Sequence, residues 1–233
     1  MSSQRTAPNA LITSARGSRT TIFLKILMAV SGLTGVGFLL FHMYGNLKAF
    51  GGEHKFNHYA EWLREVGGPV LPHTSFLWAV RITLILAVII HIYAAFSLWK
   101  RAHRARSTQY VVRRYAKATV ASRTMRWGGI TLLLYIVWHL INFTVGRVNV
   151  TGGPTDNRYQ LMVDSFSTWW LTLIYLLALA ALGAHLHHGI WSSAQTLGLT
   201  NSAKAKQTAL ATAILISGGF ALVPVAVFLG IIA

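Results

Sequence analysis

Five apolar runs, each long enough to cross a lipid bilayer, constrain this chain more than any other feature. A helix needs roughly 18 or more apolar residues to traverse a hydrocarbon core of about 30 Å. Such runs stand at about 22–47, 74–99, 126–147, 166–192 and 208–233 of the 233 residues. They take up most of the chain, so one membrane domain over 1–233 is expected. Only 11% of the residues are charged, less than half of the roughly 25% usual in a soluble domain. In lipid the backbone must satisfy its own hydrogen bonds, which leaves helices or a closed barrel. A barrel requires alternating strands, and the stretch from Trp78 to Ile90 does not alternate. The expected fold is an all-α integral membrane protein, five transmembrane helices in a bundle.

The net charge of +16 invites a nucleic-acid reading, but its placement argues for membrane orientation. Arg5, Arg16, Arg19 and Lys25 precede or open the first run. Lys100, Arg101, Arg104, Arg106, Arg113, Arg114, Lys117, Arg123 and Arg126 crowd the second connection, and Lys204 and Lys206 the fourth. Lys48, Lys55, Arg64, Arg147 and Arg158 fall on the opposite side, fifteen against five. Positive charge gathers on the cytoplasmic side of membrane proteins, so the N-terminus is expected in the cytoplasm and the C-terminus outside. A basic face suits anionic membrane lipid or an acidic protein partner; no nucleic acid is expected. The first 20 or so residues lack the short apolar stretch and small-residue cleavage site of a removable signal.

Glycine and proline punctuate the connections. Gly51-Gly52 and Gly67-Gly68-Pro69 bracket a short helix expected over Phe56–Glu65, and Thr151-Gly152-Gly153-Pro154 marks a turn. The connection 100–125 has no glycine or proline and is expected to extend its flanking helices. Pro224 is expected to kink the fifth run.

The histidines carry the chemistry. His42, His91, His139 and His185 fall one on each of the first four runs, separated by 49, 48 and 46 residues. An ionisable group within a span is costly and usually faces the bundle interior or a cofactor. Counted at 1.5 Å per residue from the N-terminal side, His91 lies about 12 Å deep, His185 about 10 Å, His139 about 20 Å and His42 about 28 Å. Two levels result: His91 with His185, and His42 with His139. Neutral imidazole is a good ligand for haem iron, and two rings from facing helices can clamp one macrocycle. The absence of cysteine excludes thiolate sites and thioether-linked haem. Small residues accompany three of the ligands on their own stripes: Ala87, Ala94 and Ala95 by His91, Ala178, Ala181 and Gly189 by His185, and Gly35 and Gly45 by His42. His139 has Tyr135 and Asn142 instead, a poorer fit to a flat macrocycle.

The remaining histidines read more plainly. His54, His58 and His73 belong to a solvated connection, His103 to the basic one, and His187 to another face of the fourth run. His188 shares the stripe of His185 and is a candidate for a propionate or a quinone contact.

These residues resemble the single-chain, di-haem cytochrome b anchor of bacterial succinate dehydrogenases and fumarate reductases. The likeness is carried by His42-Met43-Tyr44-Gly45-Asn46-Leu47-Lys48-Ala49-Phe50, similar to that family's His-x-x-Gly-Asn-Leu-x-x-Phe. It continues in Phe56-Asn57-His58-Tyr59-Ala60-Glu61-Trp62-Leu63, in Arg81 ten residues before His91, in His185-Leu186-His187-His188-Gly189-Ile190-Trp191 and in Gln195-Thr196-Leu197-Gly198. The resemblance implies two haem b groups, the distal one on His42 and His139 and the proximal one on His91 and His185. It implies a flavoprotein subunit and an iron–sulfur subunit on the cytoplasmic side, and a quinone acceptor, commonly menaquinone. It also implies a multi-pass protein of the bacterial cytoplasmic membrane. Glu61 is the proton-handling candidate near the quinone, with Glu53 and Glu65 as rivals.

No flavin or dicarboxylate site is legible, and no dinucleotide fingerprint, so succinate chemistry is expected on a partner subunit. Two rivals remain from the sequence: the di-haem cytochrome b of a hydrogenase, a formate dehydrogenase or a quinol oxidase complex, and a transporter with a histidine proton relay.

Overall fold

The computed structural model describes residues 20–104, 120–145, 148–150, 152–153, 155–200 and 202–233. Arg5, Arg16, Arg19, Arg106, Arg113, Arg114, Lys117 and Arg147 lie outside the described residues, as do Thr151 and Pro154 of the second turn. Among the described residues, five helices are long and apolar enough to cross a membrane: Thr21–Gly51, Ser75–Arg104, Met125–Val145, Trp169–Thr196 and Ala203–Phe228. We label the elements α1 (Thr21–Leu47), α2 (Glu53–Glu65), α3 (Ser75–Arg104), α4 (Val120–His139), α5 (Arg158–Ser167), α6 (Trp169–Thr196) and α7 (Ala203–Phe228). A 3-10 turn, Lys48–Gly51, extends α1, and a π-helical turn, Leu140–Val145, extends α4.

Hydroxyl and amide side chains start three of these helices by accepting from otherwise unpaired amides of the first turn. Thr20 accepts from the Phe23 amide at 3.1 Å, Asn157 from Gln160 at 3.1 Å and Ser202 from Ala205 at 3.3 Å. Gly52, at φ +83°, makes the sharp corner between the 3-10 turn and α2, a conformation that glycine adopts without strain.

The expected boundaries of two spans and of the short outer helix need correction. The fourth span begins at Trp169, not 166, because Thr168 is extended (φ −87°, ψ 111°) and separates it from α5. Helix α5 is apolar for another reason: it buries Tyr159, Leu161, Met162, Ser165 and Phe166 across one end of the bundle. The fifth span runs from Ala203 to Phe228 rather than 208–233, since Ser202 caps it early and Gly230 (φ +71°) turns the chain after it. The short outer helix starts at Glu53, three residues before its expected start. Helix α7 is continuous through the buried Pro224.

Helices α1, α6 and α7 form the packed centre, and α3 docks on α1 while α4 docks on α6. A third of the apolar window of α6 and of α7 is buried, against 6% for α3 and for α4, so the last two turn most of their surface outward. A glycine makes room for a side chain at the centre. A side chain at Gly219 of α7 would collide with the Met43 sulfur of α1, and small residues are what allow membrane helices to meet so closely. At the far end of the bundle from Thr20, α5 is tied to α2 through Asn57, which donates to Asn157 at 2.9 Å and accepts from the Tyr159 amide at 3.2 Å.

Gly219→Ala should therefore force the Met43 side chain from its present rotamer and lower stability by about 0.5–1.5 kcal/mol, the usual cost of an off-rotamer side chain. A fall in the thermal midpoint of the detergent-purified protein measures it; an unchanged midpoint would show the contact to be slack.

Candidate haem-ligand pairs within the bundle

The four span histidines come together two by two. The His42 and His139 ring centroids are 5.8 Å apart with planes at 88°, and those of His91 and His185 are 6.1 Å apart at 59°. The helices that carry each pair are not themselves close neighbours among the described residues: α1 packs on α3, α6 and α7, and α4 on α6. Each imidazole pair thus reaches across the bundle. An imidazole nitrogen sits about 2 Å from a metal it ligates, so two rings on opposite sides of one iron have centroids about 6 Å apart. Both pairs fit that spacing.

The two pairs lie at different heights. His91 touches α1 at Ser31, eleven residues before His42, a rise of about 16 Å. Gly129 of α4 lies beside the His185 ring, ten residues before His139, a rise of about 15 Å. Two helices independently give the same separation.

The rings are held differently. His91 Nδ1 lies 3.2 Å from the Met28 carbonyl oxygen and 3.2 Å from Ser31 Oγ. A carbonyl only accepts, so Nδ1 carries the proton and donates it there, and Nε2 keeps the lone pair that a metal would need. Ser31 Oγ in turn donates to the Leu27 carbonyl at 2.7 Å. The Nδ1 atoms of His139 and His185 are buried without a hydrogen-bond partner. A buried polar atom left without a partner costs stability, so these two rings, unlike that of His91, are held by packing and not by a hydrogen bond at Nδ1. Carbon surfaces bracket the far pair: Phe38 stacks on His42 at 5.1 Å, Phe220 lies 5.6 Å from it, and Tyr135 and Phe143 flank His139 at 5.8 and 5.4 Å.

Glycines beside the rings were only partly legible in sequence. Gly32 and Gly129 approach the rings of His91 and His185, where an added Cβ would lie 3.3 and 3.8 Å from the respective Cε1. They sit on the neighbouring helix, where a search along the ligand's own stripe does not look. Gly45 serves another purpose than the expected slot beside His42. A Cβ there would lie 2.8 Å from the Tyr59 ring, so this glycine lets α2 lie down on α1. Asn46 donates to the His42 carbonyl at 2.8 Å, which explains the Gly-Asn step after the histidine as local fastening.

The other candidates stand apart from the pairs. His188 is half-buried one turn past His185. His187 lines a groove of about 340 Å³ between α6 and α7. His54, His58, His73 and His103 are exposed. Glu61 is exposed on α2 and lines a polar pocket of about 180 Å³ with Asn57, Arg64, Asp156 and Arg158. Glu53 accepts from Asn157 at 2.5 Å, and Glu65 is exposed. Next to this surface, burial and the neighbouring Tyr44 push the Tyr59 hydroxyl above the usual phenol range, against the opposing Lys48 ammonium. Arg81, exposed near the start of α3, lies with its guanidinium 5.1 Å from the Trp78 ring.

Comparisons with curated proteins and with solved structures gave no match. A family model, succinate dehydrogenase/fumarate reductase transmembrane subunit, matches residues 100–228. That region runs from the end of α3 to the end of α7 and holds His139 and His185; His42 and His91 precede it. With more than half of its length matched and five helices fit to cross a membrane, the chain belongs to the succinate dehydrogenase/fumarate reductase transmembrane subunit family.

Proposed function

We propose that this chain is the di-haem electron-transfer anchor of a succinate:quinone oxidoreductase. The observation that carries the reading is the pair of imidazole pairs, each spaced for one iron and set about 15 Å apart along the bundle. His91 and His185 hold the haem proximal to the basic face, and His42 and His139 the distal one. When bound, the haems supply one-electron relays between the two faces of the membrane. The protein's own part is to hold the rings, exclude water and tune the ligands: Met28 and Ser31 fix the tautomer of His91, and Phe38, Phe220, Tyr135 and Phe143 keep the distal pair in an apolar setting.

The basic side, with Lys100, Arg101, Arg104, Arg126, Lys204 and Lys206, faces the cytoplasm in this reading, which puts the N-terminus inside and the C-terminus outside. An iron–sulfur subunit docks there and delivers electrons from a flavoprotein that oxidises succinate. The membrane is the bacterial cytoplasmic membrane and the acceptor a quinone of the menaquinone type. Reducing a quinone takes up protons as well as electrons, and Glu61 in its polar pocket is the proton-handling group on the distal side. His188, next to the proximal pair, is the corresponding candidate for a propionate or quinone contact.

The decisive experiment is a reduced-minus-oxidised spectrum of the complex purified from native membranes. Two b-type haems per chain and a co-purifying flavoprotein are expected; a nickel or molybdenum partner would point to a hydrogenase or formate dehydrogenase, and a spectrum without haem bands to a proton relay. His91→Ala should lose the proximal haem and stop electron flow to quinone, while succinate oxidation by a soluble dye persists. Both haems surviving in that variant would refute the ligand assignment.

A subtler variant reads the Nδ1 contact. A hydrogen bond from Nδ1 makes the imidazole a stronger donor to ferric iron. Ser31→Ala should raise the potential of the proximal haem and leave the distal one unmoved in a redox titration; equal shifts in both would disprove a local effect.

A further inference from the structure

His139 is half-buried and its buried Nδ1 is unpartnered, so no hydrogen bond at that atom sets the ring's direction, in contrast to His91. What surrounds it is unusual in another way. The α-helical part of α4 ends at His139, and the next six residues form a π-helical turn. Such turns are rare and need anchoring, and they gather at functional sites.

The anchor is Asn142. It is 0% exposed and lies in the middle of the turn. Its Oδ1 accepts from the Tyr175 hydroxyl at 3.0 Å, and its Nδ2 donates to the Val148 carbonyl at 3.0 Å and to Ser165 Oγ at 3.4 Å. One amide thereby joins the end of α4 to α6, to α5 and to the segment that follows the turn. Ser165 is 0% exposed and Tyr175 3%. A carboxamide in an apolar interior is tolerated only when its groups are satisfied, and here both ends are. The Tyr175 ring completes the enclosure of the site, 6.2 Å from His139, 5.1 Å from Tyr135 and 5.0 Å from Phe166.

We propose that Asn142, Tyr175 and Ser165 form a positioning clamp that holds the His139 imidazole opposite His42, in place of the direct Nδ1 hydrogen bond that holds His91. The clamp fixes the backbone immediately after the histidine and the aromatic wall beside it. It rests on the reading of His42 and His139 as haem ligands, and it concerns how the ring is aimed rather than whether it ligates. Asn142, a poor fit to a haem slot in sequence, has this other task.

The test uses the purified complex with Asn142→Leu, which is close in size but leaves Tyr175 and Ser165 without their partner, and Tyr175→Phe, which removes one hydroxyl. Haem is counted per chain and the low-spin EPR signals of the two haems are recorded separately. Asn142→Leu should fall from two haems to one, with the proximal signal unchanged; that signal also reports an intact bundle. Tyr175→Phe should keep both haems and shift only the distal g values and potential. If Asn142→Leu fails to accumulate, Tyr175→Phe decides alone. Distal signals identical to wild type in Tyr175→Phe, or two unaltered haems in Asn142→Leu, would overturn the clamp. A wild-type complex without haem would instead overturn the functional reading beneath it, before any variant is made.

Discussion

An imidazole in a hydrocarbon interior keeps a ring N–H and a lone pair that lipid cannot satisfy. The bundle meets this demand at four places in three ways. At His91 a neighbouring backbone carbonyl and a serine take the N–H. At His139 and His185 the Nδ1 atoms go without. At His42 the ring is packed among Phe38, Phe220 and the opposing His139. Each of these rings faces another across the bundle. Among the described residues, the two ring pairs link helices that do not pack closely on each other.

The helices differ in exposure. Helices α1, α6 and α7 pack closely, with Gly219 admitting Met43 at their junction. Helices α3 and α4 carry one ring of each pair yet turn most of their apolar surface outward. Each is attached to one central helix and extends its histidine toward the other. The α5 segment and the Asn142 network close the far end, where α4 leaves regular helical geometry.

Much of this was legible in residues. Hydropathy located the five spans because lipid accepts only long apolar helices, and depth along antiparallel helices brought His42 to the level of His139 and His91 to that of His185. The boundaries were less legible where one apolar stretch serves two purposes: Phe166 reads as membrane span but belongs to a separate helix, since the extended Thr168 between them leaves no mark in hydropathy. The start of α7 was hidden by Lys204 and Lys206, polar residues that fit its first turn as well as they fit a connection.

By itself the sequence determined an all-helical membrane chain with an excess of positive charge on one side and one histidine on each of four spans. These follow from composition and from a fixed rise per residue, both local properties. Only the tertiary structure decided which neighbouring glycines make room for the rings, that Gly45 makes room for Tyr59, and that Asn142 joins three elements around a π-helical turn. Such facts depend on the rotation of each helix about its axis and on its neighbours, which packing across the chain sets and no local pattern records.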